Sequence, residues 1–182
     1  MPTPDAKWTP LPDPATRRIE APGLTVRQIV GLSQRLVGGD LAAAAMRIGV
    51  DPQGVGALGL ATGPRYSVRL ARDRMLVVGA DPAVLPAGWD PAGFAVTPID
   101  GGLAVFEIAG PRAEAIVARA TTLPVAQAGP SAAVVFAGLA ATLYRHDRPD
   151  TLRLHVDRGL GAFVWDWLEA QIAVMDAVTV DP

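Results

Sequence analysis

The hydrophobic pattern of this chain changes its period several times, and each change predicts a new element. Runs in which polar and apolar residues alternate predict strands, and apolar residues three and four positions apart predict helices. The predicted strands are 24–29, 33–37, 66–71, 74–78, 94–99, 103–108, 132–137, 140–145 and 152–156. Helices are predicted after Gly38-Gly39, after Gly110-Pro111 and from about 158 to 176. This mixture of elements is typical of the α+β class.

The order strand, glycine turn, helix and hairpin occurs twice along the chain. Gly38 and Gly110 open the first two predicted helices, and the offset between them is 110 − 38 = 72 residues. A repeated order predicts an internal duplication. We therefore expect two similar strand-helix-hairpin halves, at about 23–98 and 99–182, fused into one domain. Residues 1–22 contain six prolines, which disfavour a helix or a central strand, so this segment is predicted to be an extended arm.

Composition and charge exclude several classes of function. The net charge is −2, so the chain has no basic field for nucleic acid and no cationic face for a membrane. It has no cysteine, which excludes disulfides, thiolate metal sites and cysteine nucleophiles. The uncharged stretch 120–144 is interrupted by proline and glycine and is better explained by buried strands than by a membrane span. The first residues lack the apolar segment of a signal peptide, so we expect a cytoplasmic protein.

The motifs that usually carry chemistry are incomplete. Residues 54–59 spell G-x-G-x-x-G, but no strand precedes them and no helix follows in the required register, so we interpret them as a flexible loop. His146 and His155 lack the spacing of metal ligands and are predicted to be a surface residue and a strand-face residue. No serine lies in a G-x-S-x-G elbow. The sequence therefore predicts no catalytic residue and no metal site.

Arginines are concentrated around the predicted hairpin 66–78. Arg65, Arg69, Arg72 and Arg74 lie within ten residues of one another. Such a cluster could hold a carboxylated ligand, such as a folate tail, through charge-assisted hydrogen bonds. The more common fate of such arginines is an ion pair with surface acids or with a partner subunit.

Aromatic residues near the two ends of the chain are candidates for contact with a partner. In the last helix, Trp167 falls on the predicted core face, whereas Trp165 lies near its edge beside Ile172. This second apolar stripe, with Glu169, suits a protein–protein interface or simple packing at the rim of the core. Trp8 could anchor the arm on a partner, and the alternative is a disordered tail.

Several segments, taken in order, resemble one protein family. They are Leu24-Thr25-Val26-Arg27, Val37-Gly38-Gly39-Asp40, Leu70-Ala71-Arg72-Asp73-Arg74-Met75-Leu76-Val77 and the stretch 100–169, which includes Phe163-Val164-Trp165-Asp166-Trp167-Leu168. This order resembles the gamma subunit of heterotetrameric sarcosine oxidase. That subunit is itself similar to the folate-binding half of the glycine-cleavage aminomethyltransferase. One departure is Met75, where the gamma-type hairpin usually has tryptophan.

The resemblance implies an aminomethyltransferase-like fold that has lost its reaction. The folate-dependent transferases carry an acidic pair just before the strand that reads here Thr142-Leu143-Tyr144-Arg145, whereas residues 134–141 contain no acid. Without a carboxylate near the reacting amine, no group remains there to transfer a proton. The resemblance therefore implies a non-catalytic structural or assembly subunit, which binds no cofactor itself. Alpha, beta and delta subunits would carry FAD, FMN, NAD, zinc and tetrahydrofolate and would oxidise sarcosine or a related secondary amine.

The alternative function is a stand-alone tetrahydrofolate-binding or aminomethyltransferase-like protein. This alternative requires a pocket between the two halves, and Arg65, Tyr66 and Asp100 are the predicted folate-binding residues. The isolated chain could also form a homodimer through a surface intended for a partner.

Overall fold

The computed structural model describes residues 13–179. The strands are β1 (Arg18–Ala21), β2 (Leu24–Ile29), β3 (Gln34–Gly39), β4 (Leu60–Ala61), β5 (Tyr66–Ala71), β6 (Arg74–Val78), β7 (Gly88–Asp90), β8 (Phe94–Pro98), β9 (Leu103–Ala109), β10 (Ala133–Phe136), β11 (Leu139–His146) and β12 (Arg148–Asp157). The helices are α1 (Leu41–Ile48), α2 (Ala113–Ala118) and α3 (Gly161–Thr179), and a short 3-10 helix (Arg158–Leu160) precedes α3.

The strands form two sheets that pack face to face. The seven-stranded sheet has the order β1-β2-β9-β12-β11-β10, with β4 beside β11, and the five-stranded sheet has the order β5-β6-β3-β8-β7. Neighbouring strands are antiparallel except β4 and β11. The fold is therefore a mixed one of helices and mostly antiparallel strands. Strand β1 falls within the range predicted as an arm, and it lies at a sheet edge, where a segment rich in proline is tolerated.

The core consists of three layers of buried side chains. One lies between the seven-stranded sheet and the helices α2 and α3, and a second lies between the five-stranded sheet and α1. The third lies between the two sheets and contains Tyr66 and Tyr144 among small and aliphatic residues. The order through the molecule is therefore α2 and α3, seven-stranded sheet, five-stranded sheet, α1. No helix within residues 13–179 has both the length and the apolar character to span a membrane.

Equivalent glycines precede the first two helices, one residue away from the predicted pairing of Gly38 with Gly110. Gly39 has φ 106° and Gly110 has φ 120°, and a Cβ atom at either would collide with a backbone carbonyl of Gly93 or Gly23 respectively. Both positions therefore require glycine. The equivalence concerns these turns, and the duplication of whole halves stays a prediction.

Helices α1 and α2 are capped differently because the residues at their ends differ. Asp40 accepts a hydrogen bond from the Ala43 amide at the start of α1, and Gly49 ends that helix in the left-handed conformation. The six-residue α2 begins at Ala113, and the side chain of the preceding Arg112 makes no capping hydrogen bond. The predicted start of α2 at Gly110-Pro111 is therefore too early.

The predicted position of Trp165 near the edge of the α3 core face was wrong, because this residue is 2% exposed. Trp167 packs against the core as predicted, with its ring centroid 5.3 Å from that of Phe136. The buried positions of α3 include Val164 and Leu168. Because α3 carries apolar residues on all sides, the helical period does not single out one face.

Candidate functional site

One row of polar side chains crosses four strands of the seven-stranded sheet, on the face that packs against the five-stranded sheet. Arg27 of β2 lies opposite Glu107 of β9, Glu107 lies opposite Arg153 of β12, and Arg153 lies opposite Tyr144 of β11. Directly opposed residues share one face of a sheet, so the backbone alone brings these four side chains together. Tyr66 of β5 meets the row from the other sheet.

The charged part of this row is an arginine–glutamate–arginine arrangement. Arg27 donates from Nε and Nη2 to Oε1 of Glu107, at 2.8 and 2.5 Å. Nη2 of Arg153 lies 3.4 Å from the other oxygen of Glu107. The side chains of Glu107 and Arg153 are each 11% exposed, whereas that of Arg27 is 56% exposed. The carboxylate is thus largely removed from water and depends on both guanidinium groups for compensation.

A chain of hydrogen bonds continues from this row through the space between the sheets. Nη1 of Arg153 lies 2.7 Å from the Tyr66 hydroxyl, which lies 2.8 Å from the Tyr144 hydroxyl. The Tyr144 hydroxyl lies 2.7 Å from Nε2 of His155, and Nδ1 of His155 lies 2.8 Å from Oε1 of Gln34. These hydrogen bonds therefore join the two sheets twice, at Tyr66 and at Gln34. We call the seven connected residues the polar seam: Arg27, Glu107, Arg153, Tyr66, Tyr144, His155 and Gln34.

The direction of the hydrogen bonds in the polar seam follows from Gln34, because its amide oxygen only accepts. Nδ1 of His155 therefore donates to Gln34, and Nε2 of the neutral imidazole accepts from the Tyr144 hydroxyl. Tyr144 has then used its one proton, so its oxygen accepts from the Tyr66 hydroxyl, whose own oxygen accepts from Arg153.

Burial keeps the polar seam in a single protonation state at neutral pH. Burial, with a smaller contribution from the charge of Arg153, lowers the pKa of His155 to about 3. Burial also raises the pKa of Tyr66, and it raises the pKa of Tyr144 well above its usual value, with Tyr66 adding to the effect. None of these three groups titrates near neutrality, where a general acid or base is most effective. This arrangement can hold two sheets together but offers no proton for exchange.

The structure does not bring the three predicted folate-binding residues into one pocket. Arg65 is exposed and lines a cavity of about 300 Å³ together with Tyr66, whose hydroxyl is already used in the polar seam. Asp100 lines a different cavity, of about 210 Å³, and its carboxylate accepts a hydrogen bond from the backbone amide of Gln34. Their role in binding folate stays a prediction.

The acid-free segment 134–141 is a tight hairpin between β10 and β11. Ala137 and Gly138 occupy the turn with φ of 49° and 82°, as the favoured two-residue hairpin turns require. The segment lines neither of the two cavities that contain Arg65 and Asp100. It belongs to the sheet and does not form a loop over a pocket.

Of the three predicted partner-contact residues that lie within the described chain, one is exposed. Trp165 packs against Phe106 with the ring centroids 6.3 Å apart, and Ile172 is 5% exposed, so both belong to the core of this chain. Glu169 is exposed on α3. Trp8 lies outside the described residues.

His146 was predicted to be a surface residue in a turn, and this prediction was wrong. It ends β11 and is 6% exposed, with Nδ1 at 3.1 Å from a carboxylate oxygen of Asp147 and Nε2 at 3.1 Å from the carbonyl oxygen of Gly63. The turn contains only Asp147, with φ 57°, so β11 and β12 extend further than the polar sequence suggested. Within residues 13–179, no group of three or more side chains is arranged to bind a metal.

Gln34, Glu107 and Arg153 were not predicted as site residues. The sequence contains a signal for Glu107 and another for Arg153. Glu107 is the one charged residue in the apolar strand β9, and Arg153 and His155 alternate with leucines in β12. A charged residue within a buried strand requires a partner, but only the register of the strands identifies that partner.

Comparison with solved structures identifies a similar fold. A chain of the heterotetrameric sarcosine oxidase from Corynebacterium sp. U-96, in complex with pyrrole 2-carboxylate, matches with a TM-score of 0.69 and 17% sequence identity. The match covers 87% of this chain and 87% of that chain. No protein-family model and no curated protein matched the sequence. The chain therefore shares its fold with a chain of similar length from a sarcosine oxidase.

Proposed function

We propose that this chain is a non-catalytic structural subunit, of the gamma type, in a complex similar to heterotetrameric sarcosine oxidase. The observation that supports this most is the extent of the structural match, 87% of both chains. Nearly the whole chain corresponds to nearly the whole of one chain in a multisubunit enzyme. At 17% identity the match shows the fold alone, so the subunit type and its role are our inference.

The interior of the chain supports a structural role over a catalytic one. The polar seam is buried between the sheets, and the pKa values of His155, Tyr66 and Tyr144 all lie away from neutral pH. The segment in which the transferases carry their acidic pair is a hairpin without a carboxylate. A fold can persist in this way after the chemistry of its relatives has been lost.

In this proposal the chemistry belongs to other subunits. Alpha, beta and delta types of subunit carry FAD, FMN, NAD and the tetrahydrofolate reaction, and the complex oxidises sarcosine or a related secondary amine. The present chain contributes contact area, and the exposed face of α3 around Glu169 is one surface available for it.

Co-purification tests this proposal. The chain, carrying an affinity tag, is co-expressed with the proteins encoded beside it in its genome. We expect the tagged chain to elute with its partners in fixed proportion and with bound flavin, detected by absorbance. A reciprocal experiment with the tag on the flavoprotein serves as the control. A flavoprotein complex that assembles without this chain would contradict the proposal.

Calorimetry on the isolated chain separates this proposal from the folate-binding alternative. Tetrahydrofolate titrated into the chain is expected to bind no more tightly than glutarate, a carboxylate without the pterin ring, because Arg65 and Tyr66 line one cavity and Asp100 lines another. Binding at about 1 μM, equivalent to roughly −8 kcal/mol, would instead support a stand-alone folate-binding protein.

A further inference from the structure

The arginines of this chain divide into those with a carboxylate partner and those without one. The chain contains 15 arginines. Eight form ion pairs: Arg17, Arg18, Arg27, Arg47, Arg112, Arg145, Arg148 and Arg153. Of the remaining seven, none of which has a carboxylate partner within residues 13–179, four lie in or directly before the hairpin β5–β6: Arg65, Arg69, Arg72 and Arg74. Ion pairing with surface acids therefore does not explain this cluster.

Arg69 is held in place by backbone oxygens. Its Nε donates to the carbonyl of Gln53 at 2.7 Å, its Nη2 donates to that of Pro52 at 2.6 Å, and its Nη1 donates to that of Arg72 at 3.0 Å. Carbonyl groups orient a guanidinium but do not neutralise its charge. The side chain has thus already lost its conformational freedom while its positive charge remains uncompensated, which lowers the entropic cost of binding an anion.

A cavity of about 420 Å³ lies beside this fixed guanidinium. It is lined by Gln53, Arg69, Ala71, Arg72, Pro130 and Ser131, and these lining residues include no carboxylate. Arg72 is exposed, and its side chain makes no hydrogen bond to the rest of the described chain. Two arginines without a carboxylate partner therefore line one cavity, at the junction of the hairpin and the loop before β10.

We propose that this cavity binds an oxyanion, either a carboxylate or a phosphate group, between Arg69 and Arg72. The planar guanidinium of the exposed Arg72 can match either kind of anion through paired hydrogen bonds. Arg69 supplies a fixed positive charge, and Arg72 closes over the ligand from the turn of the hairpin. The site is a property of the isolated chain and does not depend on the proposed subunit role.

Amide NMR of the full chain labelled with nitrogen-15 tests the site directly. Sodium phosphate and, separately, sodium glutarate are titrated in while sodium chloride keeps the ionic strength constant. We expect saturable shifts of the amides of Gln53, Arg72 and Ser131 with at least one anion, and the tighter of the two identifies the ligand class. Shifts that never saturate with either anion, or that match those from chloride alone, would overturn the proposal.

A matched pair of variants separates a built site from a general attraction to positive charge. Arg72→Gln removes one cavity arginine and is expected to weaken binding about tenfold or more. Arg65→Gln removes an equally unpaired arginine that does not line this cavity, and the affinity should change less than about twofold. Equal weakening by both variants, or none by Arg72→Gln, would overturn the proposal.

Discussion

The polar seam and the hairpin β5–β6 both contain several arginines, but these differ in burial and in pairing with carboxylates. In the seam, Arg153 lies between Glu107 and Tyr66 and is buried with them. In the hairpin, Arg72 faces solvent and has no carboxylate partner in the described part of the chain. Tyr66 belongs to both regions, since β5 contributes one side chain to the seam and the neighbouring residues to the hairpin.

This difference separates groups that hold the fold from groups that are available to a ligand or a partner. A buried charge without its partner costs several kcal/mol, and in the seam the Glu107 carboxylate is matched by two guanidinium groups. An exposed charge costs little, so it can remain unmatched until something binds. Substitutions in the seam should therefore change stability, whereas substitutions in the hairpin should change binding and leave stability almost unaltered.

The largest effect is expected from Glu107→Gln. This change removes the only carboxylate of the seam and leaves the buried Arg153 without an opposite charge. We expect the free energy of unfolding, measured by urea denaturation, to fall by about 3 kcal/mol. The control is Glu20→Gln, because Glu20 pairs with Arg18 at the surface and both side chains are more than half exposed. That control should cost less than about 0.5 kcal/mol, and a similar loss in both variants would contradict the distinction.

The second-largest effect is expected from acid, which should lower the free energy of unfolding through His155. His155 is neutral in the folded chain, where its pKa is about 3, but it becomes protonated near pH 6.5 once unfolded. Below pH 6.5 protons therefore favour the unfolded state, by about 1.4 kcal/mol for each pH unit down to pH 3. Stability measured at pH 7, 6 and 5 should thus fall by roughly 2 kcal/mol over this range. His155→Gln should be less stable at pH 7 and show a shallower decline, whereas an unchanged pH slope in that variant would argue against a buried neutral histidine.

Removing one hydroxyl group should have a somewhat smaller effect. Tyr144→Phe leaves Nε2 of His155 without a donor and the Tyr66 proton without an acceptor. We expect a loss of about 1–2 kcal/mol in the free energy of unfolding. Tyr66→Phe should cost a similar amount, and the double variant should lose less than the sum because the two hydroxyls act on the same chain of hydrogen bonds. Strict additivity in this double-mutant cycle would show that the hydrogen bonds of Tyr66 and Tyr144 are not coupled.

The smallest effect is expected in the hairpin. Arg72→Gln should change the free energy of unfolding by less than about 0.5 kcal/mol, since the side chain is exposed and makes no hydrogen bond within the described residues. The measurement is the same urea denaturation used for Glu107→Gln. A loss comparable with that of the Glu107 variant would show that the hairpin arginines support the fold after all.

Local signals made much of the fold predictable. The hairpin strands β5 and β6 were predicted with the bounds 66–71 and 74–78 that the structure has. Helix α1 follows Gly38-Gly39 as predicted, and Asp40 and Gly49 cap its two ends. The burial of Trp165 in α3 was not predicted because apolar residues occur around that helix, and the packing of the sheet decides which of them is buried.

The polar seam could not be predicted because its members come from distant parts of the chain. Gln34 and His155, for example, are 121 residues apart and meet only because β3 and β12 lie in facing sheets. A single polar residue within an apolar strand indicates that a partner exists, but its identity depends on sheet order and register. The predicted pocket residues failed to converge for the same reason, since Asp100 and Arg65 lie beside different cavities.

The most direct test of a structural role is turnover in the assembled complex. The chain carrying Tyr144→Phe, a change expected to weaken the seam without altering its shape, is co-expressed with the flavoprotein subunits of the proposed complex, and sarcosine oxidation is measured per bound flavin. If the seam only holds the fold, the yield of complex falls while turnover per flavin stays within about twofold of the unmodified complex. Full assembly with turnover reduced about tenfold or more, equivalent to at least roughly 1.4 kcal/mol in the barrier, would mean that the seam takes part in the reaction and would contradict the proposed non-catalytic role.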